Sequence, residues 1–119
     1  REALQGVLRE YFLVCDRMSD HILLMYQETK SLPRGWREKV LENEVRITGL
    51  IRKAIGAYLS GAGRESPGPA ALDLMTQNIA VLGHMWTFRR WFFRGRFDIE
   101  AYITHQTELI LKELENAFK

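Results

Sequence analysis

Apolar residues recur with helical spacing along residues 72–97, and they cover a wider arc of that helix than one packing contact requires. At about 100° per residue, two neighbouring apolar stripes and a third stripe of small residues run along it. An ordinary surface helix has one apolar stripe and a solvated back. The pattern therefore predicts that this helix packs against its own core on one side and against a second copy of the chain on another. The first apolar stripe comprises Met75, Ile79, Leu82, Trp86 and Phe93, the second comprises Leu74, Val81, Met85, Phe88 and Phe92, and the small residues are Thr76, Ala80, Gly83 and Thr87.

The remaining apolar positions predict further helices and no strand. Ser19 or Asp20 is expected to cap the second helix, because their side-chain oxygens accept hydrogen bonds from free N–H groups. Gly95 is expected to end the helix at 72–97 in the left-handed conformation, and Asp98 to cap the helix after it. The sequence therefore predicts an all-α domain of about five helices, at 2–18, 21–30, 34–60, 72–97 and 99–118.

The last two predicted helices are joined by a tight turn, so we expect them to be antiparallel neighbours. Both carry surplus apolar surface. Pairing these two helices with the same two of a second chain would make a four-helix bundle around a two-fold axis. The predicted dimer interface consists of the small-residue stripe Thr76, Ala80, Gly83 and Thr87 together with Trp91, Ile103, Ile110 and Leu114.

Composition indicates one globular domain, because 119 residues are enough to bury a core. The net charge of +2 is too small to indicate nucleic-acid or membrane binding by charge alone. The single cysteine, Cys15, excludes an internal disulfide and fits a cytoplasmic location. No apolar run reaches the length of a membrane span, and no signal peptide opens the chain. Because residues 1–5 already follow a helical pattern, we expect this chain to be the C-terminal part of a longer protein.

One stretch has the composition of a connector, SGAGRESPGP at residues 60–69. Its glycines and prolines do not sustain a helix, and Pro69 suits the first turn of the helix that follows. It is not a phosphate-binding loop, since no strand precedes it and it lacks the Gly-Lys-Ser/Thr ending.

Catalytic and metal-binding patterns are missing from the sequence. His21, His84 and His105 show no spacing typical of a zinc site. No serine nucleophile motif and no Cys/His pair is present either. We therefore expect no catalytic residue, no metal site and no cofactor, and we do not expect an enzyme.

Glu44 stands in the middle of the apolar face that runs from Trp36 to Tyr58. A carboxylate at such a position is paired, hydrated or protonated, because a bare buried charge is costly. Two interpretations stay open: Glu44 lies at the domain edge, reaching water or an arginine such as Arg89, or it lines an internal cavity. Arg89 could equally meet an anionic group of a ligand.

Bulky residues around Glu44 and Arg89 are also open to two interpretations, as core filler or as the wall of an apolar pocket with polar anchors. The predicted ligand-binding residues are Met25, Tyr26, Glu44, Ile47, Ile51, Met85, Trp86 and Arg89.

Two segments resemble the TetR/AcrR family of bacterial transcriptional repressors. NIAVLGHMWTFRRWFFRGRFDIEAYITHQTELIL, at 78–111, is similar to the last two helices of that family, and LLMYQETKSLP, at 23–33, is similar to a subgroup of it. The resemblance implies a homodimeric regulator whose C-terminal all-α domain binds an effector and dimerises. It also implies an N-terminal helix-turn-helix domain that binds operator DNA and is absent from this chain, so that residues 1–119 are the C-terminal domain alone.

The same resemblance implies a hydrophobic effector, with an acyl-CoA thioester as one candidate and a neutral hydrophobic compound as another. The helix at 2–18 is then expected to transmit effector binding to the DNA-binding domain. The alternative function is a helical dimerisation or protein-interaction module whose core is filled and which binds no ligand.

Overall fold

The computed structural model describes residues 1–28, 33–64 and 68–117, and every regular element in these ranges is a helix. The predicted all-α fold is thus confirmed. The expected end of the second helix at Lys30, the middle of the connector at 65–67, and Phe118 lie outside the described residues. Within the described ranges the helices are α1 (Glu2–Arg17), α2 (Ser19–Glu28), α3 (Arg34–Gly61), α4 (Pro69–Phe88), α5 (Arg90–Phe93) and α6 (Ile99–Ala117).

Helix α1 lies at the centre of the fold and packs against α3, α4 and α6. Its apolar residues recur every three or four positions, so they form one face, and Leu4, Leu8 and Phe12 are almost completely buried on it. Burying each such side chain contributes about 1.5–3 kcal/mol. The main core gathers residues of four helices, including Cys15 of α1, Ile51, Ile55 and Leu59 of α3, Ile79 and Ala80 of α4, and Ile103, Ile110 and Leu114 of α6.

A bend at Met18 separates α1 from α2, as predicted. The role expected of Ser19 was wrong, because α2 begins at this residue instead of being capped by it. The Ser19 hydroxyl donates to the carbonyl oxygens of Cys15 at 3.1 Å and Asp16 at 2.9 Å. It therefore satisfies the last turn of α1, where carbonyl groups lack helical partners.

The helix predicted at 72–97 is divided in the structure. Helix α4 ends at Phe88, Arg89 leaves helical geometry with φ −107° and ψ 17°, and α5 is a short separate element. A continuous helix would advance by about 10.5 Å between Trp86 and Phe93, yet their rings stack with centroids 5.6 Å apart. The division thus lets Phe93 fold back onto Trp86. Gly95 has the predicted positive φ, at 81°, and Asp98 caps α6 by accepting from the Ala101 N–H at 2.9 Å.

Aromatic side chains form a second cluster at the end of α4. Trp86 and Phe93 pack there with Tyr102 of α6, and Phe97 adds to its edge. The Tyr102 hydroxyl donates to the carbonyl oxygen of Leu82, so its polar end is satisfied while its ring is buried.

The small-residue stripe of α4 is covered within its own chain, with Ala80 and Gly83 against α1 and Thr87 hydrogen-bonded to Ser19 of α2. Thr76, Ala80, Gly83 and Thr87 are all buried, and a Cβ on Gly83 would lie 2.5 Å from Tyr11 and 2.7 Å from Cys15. The prediction that this stripe admits a second copy is corrected accordingly, because α1 already makes the close approach. Ile103, Ile110 and Leu114 are likewise buried in the core of their own chain, so that of the predicted interface residues only Trp91, 68% accessible, is exposed.

Apolar side chains on another face of α4 remain exposed. Leu74, Val81 and Phe88 stand seven residues apart along the helix and are 66%, 57% and 37% accessible. The core-facing residues of α3 begin at Ile47, its fully buried residues begin at Thr48, and Trp36 near its beginning is exposed. Among the described helices, none combines the length and hydropathy that crossing a bilayer requires.

Candidate ligand-binding groove

An open groove lies among α2, α3 and α4, with a volume of about 300 Å³. The residues from α3 lie on one face, as do those from α4, because positions three, four or seven apart in a helix lie on the same side, and α2 contributes two consecutive residues. Helix α3 runs past the core at this end, so its early turns form one wall. The lining residues are Met25 and Tyr26 of α2, Arg37, Val40, Leu41 and Glu44 of α3, and Gln77 and His84 of α4.

His84 is the polar centre of the groove, and it is buried. Its Nδ1 lies 2.8 Å from the Tyr26 hydroxyl oxygen, and its Nε2 lies 3.6 Å from a carboxylate oxygen of Glu44. The edge of the Tyr26 ring also meets the imidazole, with centroids 5.5 Å apart. One side chain from each of three helices therefore converges at a single point of the groove.

Burial lowers the pKa of His84, and the nearby Glu44 carboxylate opposes this change. Neutral imidazole has one N–H and one acceptor nitrogen. We infer that the Tyr26 hydroxyl donates to Nδ1 and that the proton lies on Nε2, on the side of the Glu44 carboxylate, which at 3.6 Å is beyond hydrogen-bond distance. Burial also raises the pKa of Tyr26, which keeps its hydroxyl protonated as a donor.

Glu44 is half-buried, with a side chain 32% accessible. It lies at the edge of the domain, as one interpretation from the sequence held, and it lines an open groove instead of the internal cavity of the other interpretation. Its partner is His84, whereas the guanidinium of Arg89 lies over the Trp91 ring, 4.8 Å from the centroid.

The groove combines apolar walls with a few polar groups. Met25, Val40 and Leu41 give apolar walls, while Glu44 and Gln77 offer hydrogen-bonding groups. Small-molecule sites are typically apolar cavities with a few oriented polar groups. In the part of the chain that the structure describes, no group of three or more His, Cys, Asp or Glu side chains is placed to hold a metal ion.

Comparison with known proteins adds a second kind of evidence. Over 111 residues the chain is 28% identical to the HTH-type transcriptional regulator HbdR of Aromatoleum sp. (strain CIB). This chain is similar to a transcriptional regulator. The match covers 93% of the chain and 47% of HbdR, so the chain spans about half the length of this curated relative. No protein-family model matches the chain, and no solved structure matches it.

Three of the predicted ligand-binding residues line the groove together: Met25, Tyr26 and Glu44. Ile51 is fully buried in the main core, and Ile47 packs against it. The other three predicted residues lie away from the groove: Trp86 and Met85 belong to the aromatic cluster, and Arg89 is exposed. Arg89 was misplaced because the prediction extended α4 beyond Phe88, where the structure ends it.

Sequence reasoning missed His84 as a site residue, because a single histidine on an apolar helix usually belongs to the core. A signal was nevertheless present. Gln77 and His84 are seven residues apart, so they share one face of α4 and make a polar track on a helix that is otherwise apolar there. Together with Glu44 on another amphipathic helix, that track indicated a polar site between helices.

Proposed function

We propose that this chain is the ligand-sensing and dimerisation domain of a transcriptional regulator that resembles the TetR/AcrR family. Operator DNA is bound in this proposal by a helix-turn-helix domain outside the given sequence. Similarity to a regulator described as HTH-type, of which the chain spans about half, supports this division of roles. The observation that carries the sensing role is the convergence of Tyr26, His84 and Glu44 on one groove.

The effector in this proposal is a small hydrophobic molecule with one polar group. That polar group would meet Glu44, Gln77 or the Tyr26 hydroxyl, and the remainder would lie against the apolar walls. The groove is at the lower end of the range of about 300–1,000 Å³ for small-molecule sites. If the effector is an acyl-CoA thioester, the groove holds its acyl portion and the larger remainder lies outside.

The signal passes through α4 to α1. His84 follows Gly83, whose backbone lies directly against Tyr11 and Cys15 of α1. A ligand that prefers one position of α4 shifts the population of conformers by no more than its differential affinity for them. In a dimer, a change in the separation of two DNA-binding domains weakens binding to half-sites one helical turn apart.

A thermal-shift screen of the 119-residue chain tests the proposal, with acyl-CoA thioesters and the corresponding free acids as the panel. A ligand at one hundred times its Kd stabilises the folded state by about 2.7 kcal/mol. We expect Glu44→Gln to reduce the stabilisation by a bound compound, because a neutral amide replaces the carboxylate that orients His84. The matched control is Glu108→Gln, which changes an exposed glutamate of α6 and should respond as the unaltered chain does.

If a compound stabilises Glu44→Gln and Glu108→Gln equally, it binds outside the groove. If no compound stabilises the chain and native mass spectrometry finds no retained adduct, the sensing role is wrong. The alternative, a dimerisation module without a ligand, would then be preferred.

A further inference from the structure

A second pocket, of about 620 Å³, opens where α4, α5 and α6 meet. It shares no lining residue with the groove around His84. Its wall is built largely from the turn between α5 and α6, which the left-handed Gly95 makes possible. The pocket is lined by Asp16, Trp86, Arg90, Arg94, Gly95, Arg96, Phe97, Asp98 and Ile99.

Positive charge exceeds negative charge in this pocket, since three arginines face two aspartates. Both aspartates already have partners. Asp16 accepts from Arg90 at 2.8 Å and from the Trp86 indole N–H at 2.8 Å. Asp98 accepts from the first turn of α6 and, among the described residues, forms no ion pair with Arg94 or Arg96.

Unused hydrogen-bond donors remain on these arginines. A guanidinium has five N–H donors. Arg94 forms no side-chain hydrogen bond or ion pair with any residue that the structure describes. Arg96 donates once, to the carbonyl oxygen of Phe92 at 2.6 Å, and that bond holds its guanidinium over the Phe92 ring. One arginine is thus fixed in place and another is available beside it.

The base of the pocket is rigid and partly apolar. Trp86 is buried, and its ring packs in a triangle with those of Phe93 and Tyr102, with centroid distances of 5.6 Å to Phe93, 5.0 Å to Tyr102 and 5.3 Å between the other two. Arg90 is fixed above Trp86 by its bonds to Asp16 and Ser19. A rigid base lowers the entropy that binding must overcome.

We propose that this pocket binds the phosphate group of a small molecule, with Arg94 and Arg96 as its ligands and Trp86 and Phe97 against the body of the molecule. Guanidinium groups recognise phosphate through paired charge-assisted hydrogen bonds. The aromatic side chains beside the arginines favour a small organic molecule over duplex DNA, whose phosphates are contacted mainly by basic and polar side chains and by backbone N–H groups.

Titration with inorganic pyrophosphate tests this site directly, with sodium chloride adjusted to hold the ionic strength constant. The probe is the indole N–H resonance of Trp86, which lies in the pocket, and the resonance of Trp36 on α3 serves as the internal reference. We expect saturable changes at Trp86 and none at Trp36. Arg94→Gln should weaken binding about tenfold, because it removes a charge-assisted partner.

Arg89→Gln is the matched control, since it removes the same charge from the same segment outside the pocket. We expect it to change the affinity less than twofold. Equal weakening by both variants would indicate general electrostatic attraction and overturn the proposal, as would the absence of saturable binding at millimolar pyrophosphate. Competition by a random-sequence DNA duplex, lost in Arg94→Gln, would assign the arginines to nucleic acid instead. Because the two sites share no residue, none of these outcomes depends on the groove.

Discussion

His84 and Cys15 show how burial sets the chemistry of single residues in this protein. Burial raises the pKa of the Cys15 thiol to about 11, so the thiol stays protonated at neutral pH and behaves as a small apolar group. Burial acts in the opposite direction on a base and lowers the pKa of His84. The imidazole is therefore held neutral, between a hydroxyl donor and a carboxylate.

The lowered pKa of His84 predicts that acid destabilises the fold. Below about pH 6.5, the ordinary histidine pKa, the unfolded chain binds a proton at His84 that the folded chain binds less readily. Stability should therefore rise with pH through this region and fall on acidification. Urea unfolding at about pH 7.5 and about pH 5.5 measures the difference, and His84→Gln should reduce it.

The control for this measurement is His105→Gln, because His105 is exposed on α6. That variant should keep the pH dependence of the unaltered chain. An unchanged dependence in His84→Gln would show that His84 does not contribute to the acid response.

Helices α1 and α4 pack closely at Gly83. Among the described glycines, it is the one where an added Cβ would lie within 4 Å of another helix. The Tyr11 hydroxyl donates to the carbonyl oxygen of Ala80 at 2.8 Å, and its ring lies over the bare backbone of Gly83. Small residues were predicted to admit another backbone, whereas the atoms that fill the space at Gly83 belong to the side chains of Tyr11 and Cys15. The pattern could not identify which helix approaches, because α1 of the same chain and a helix of a second chain satisfy the same stripe.

Gly83→Ala should lower the free energy of unfolding by about 1–3 kcal/mol, the cost of overpacking a core. Its Cβ would stand within 3 Å of both Tyr11 and Cys15. Gly49→Ala is the control, since nothing lies within 4 Å of that added Cβ and the site is exposed in α3. Removing a glycine there should stabilise the helix by about 0.5–1 kcal/mol. Similar unfolding midpoints for both variants would contradict the close packing.

At the scale of the whole molecule, one apolar stripe of α4 remains exposed in the part of the chain that the structure describes. Leu74 and Val81 are the most accessible, and Phe88 packs edge-on against Tyr26 of α2 with ring centroids 4.6 Å apart. Leu74, Val81 and Phe88 continue toward the exposed Trp91, while the small residues beside them are covered within the chain. Exposed apolar patches of this kind mark contact surfaces. We therefore place the proposed dimer interface on this stripe, with α6 beside it, in place of the small-residue stripe.

Val81→Glu tests this interface, because a two-fold axis near α4 would bring the two new carboxylates and the apolar stripes together. We expect the unaltered chain to sediment as a dimer and the variant as a monomer. Val45→Glu introduces the same charge at a valine of α3 that is 70% exposed, and it should remain dimeric. A dimeric Val81→Glu variant with unchanged affinity would rule out this stripe.

The sequence by itself determined the helices and most of their ends. Periodicity of apolar residues located them, and Pro69, Gly95 and Asp98 act on the local backbone as predicted. Such signals are local, because a cap or a left-handed glycine depends on its neighbours in the chain. Helix faces also predicted that Met25, Tyr26 and Glu44 lie together, and they line one groove; their binding of a ligand stays a prediction.

Only the tertiary structure decided where those faces meet. The break at Arg89 depends on Phe93 returning to Trp86 and on Arg90 reaching Asp16 of α1, contacts between residues that are distant in sequence. Likewise, Glu44 and His84 are forty positions apart, and the packing of α3 beside α4 makes them a pair. A single sequence shows which side chains are apolar. It does not show which helix will bury them, because the free energy of burial is similar whichever helix packs against them.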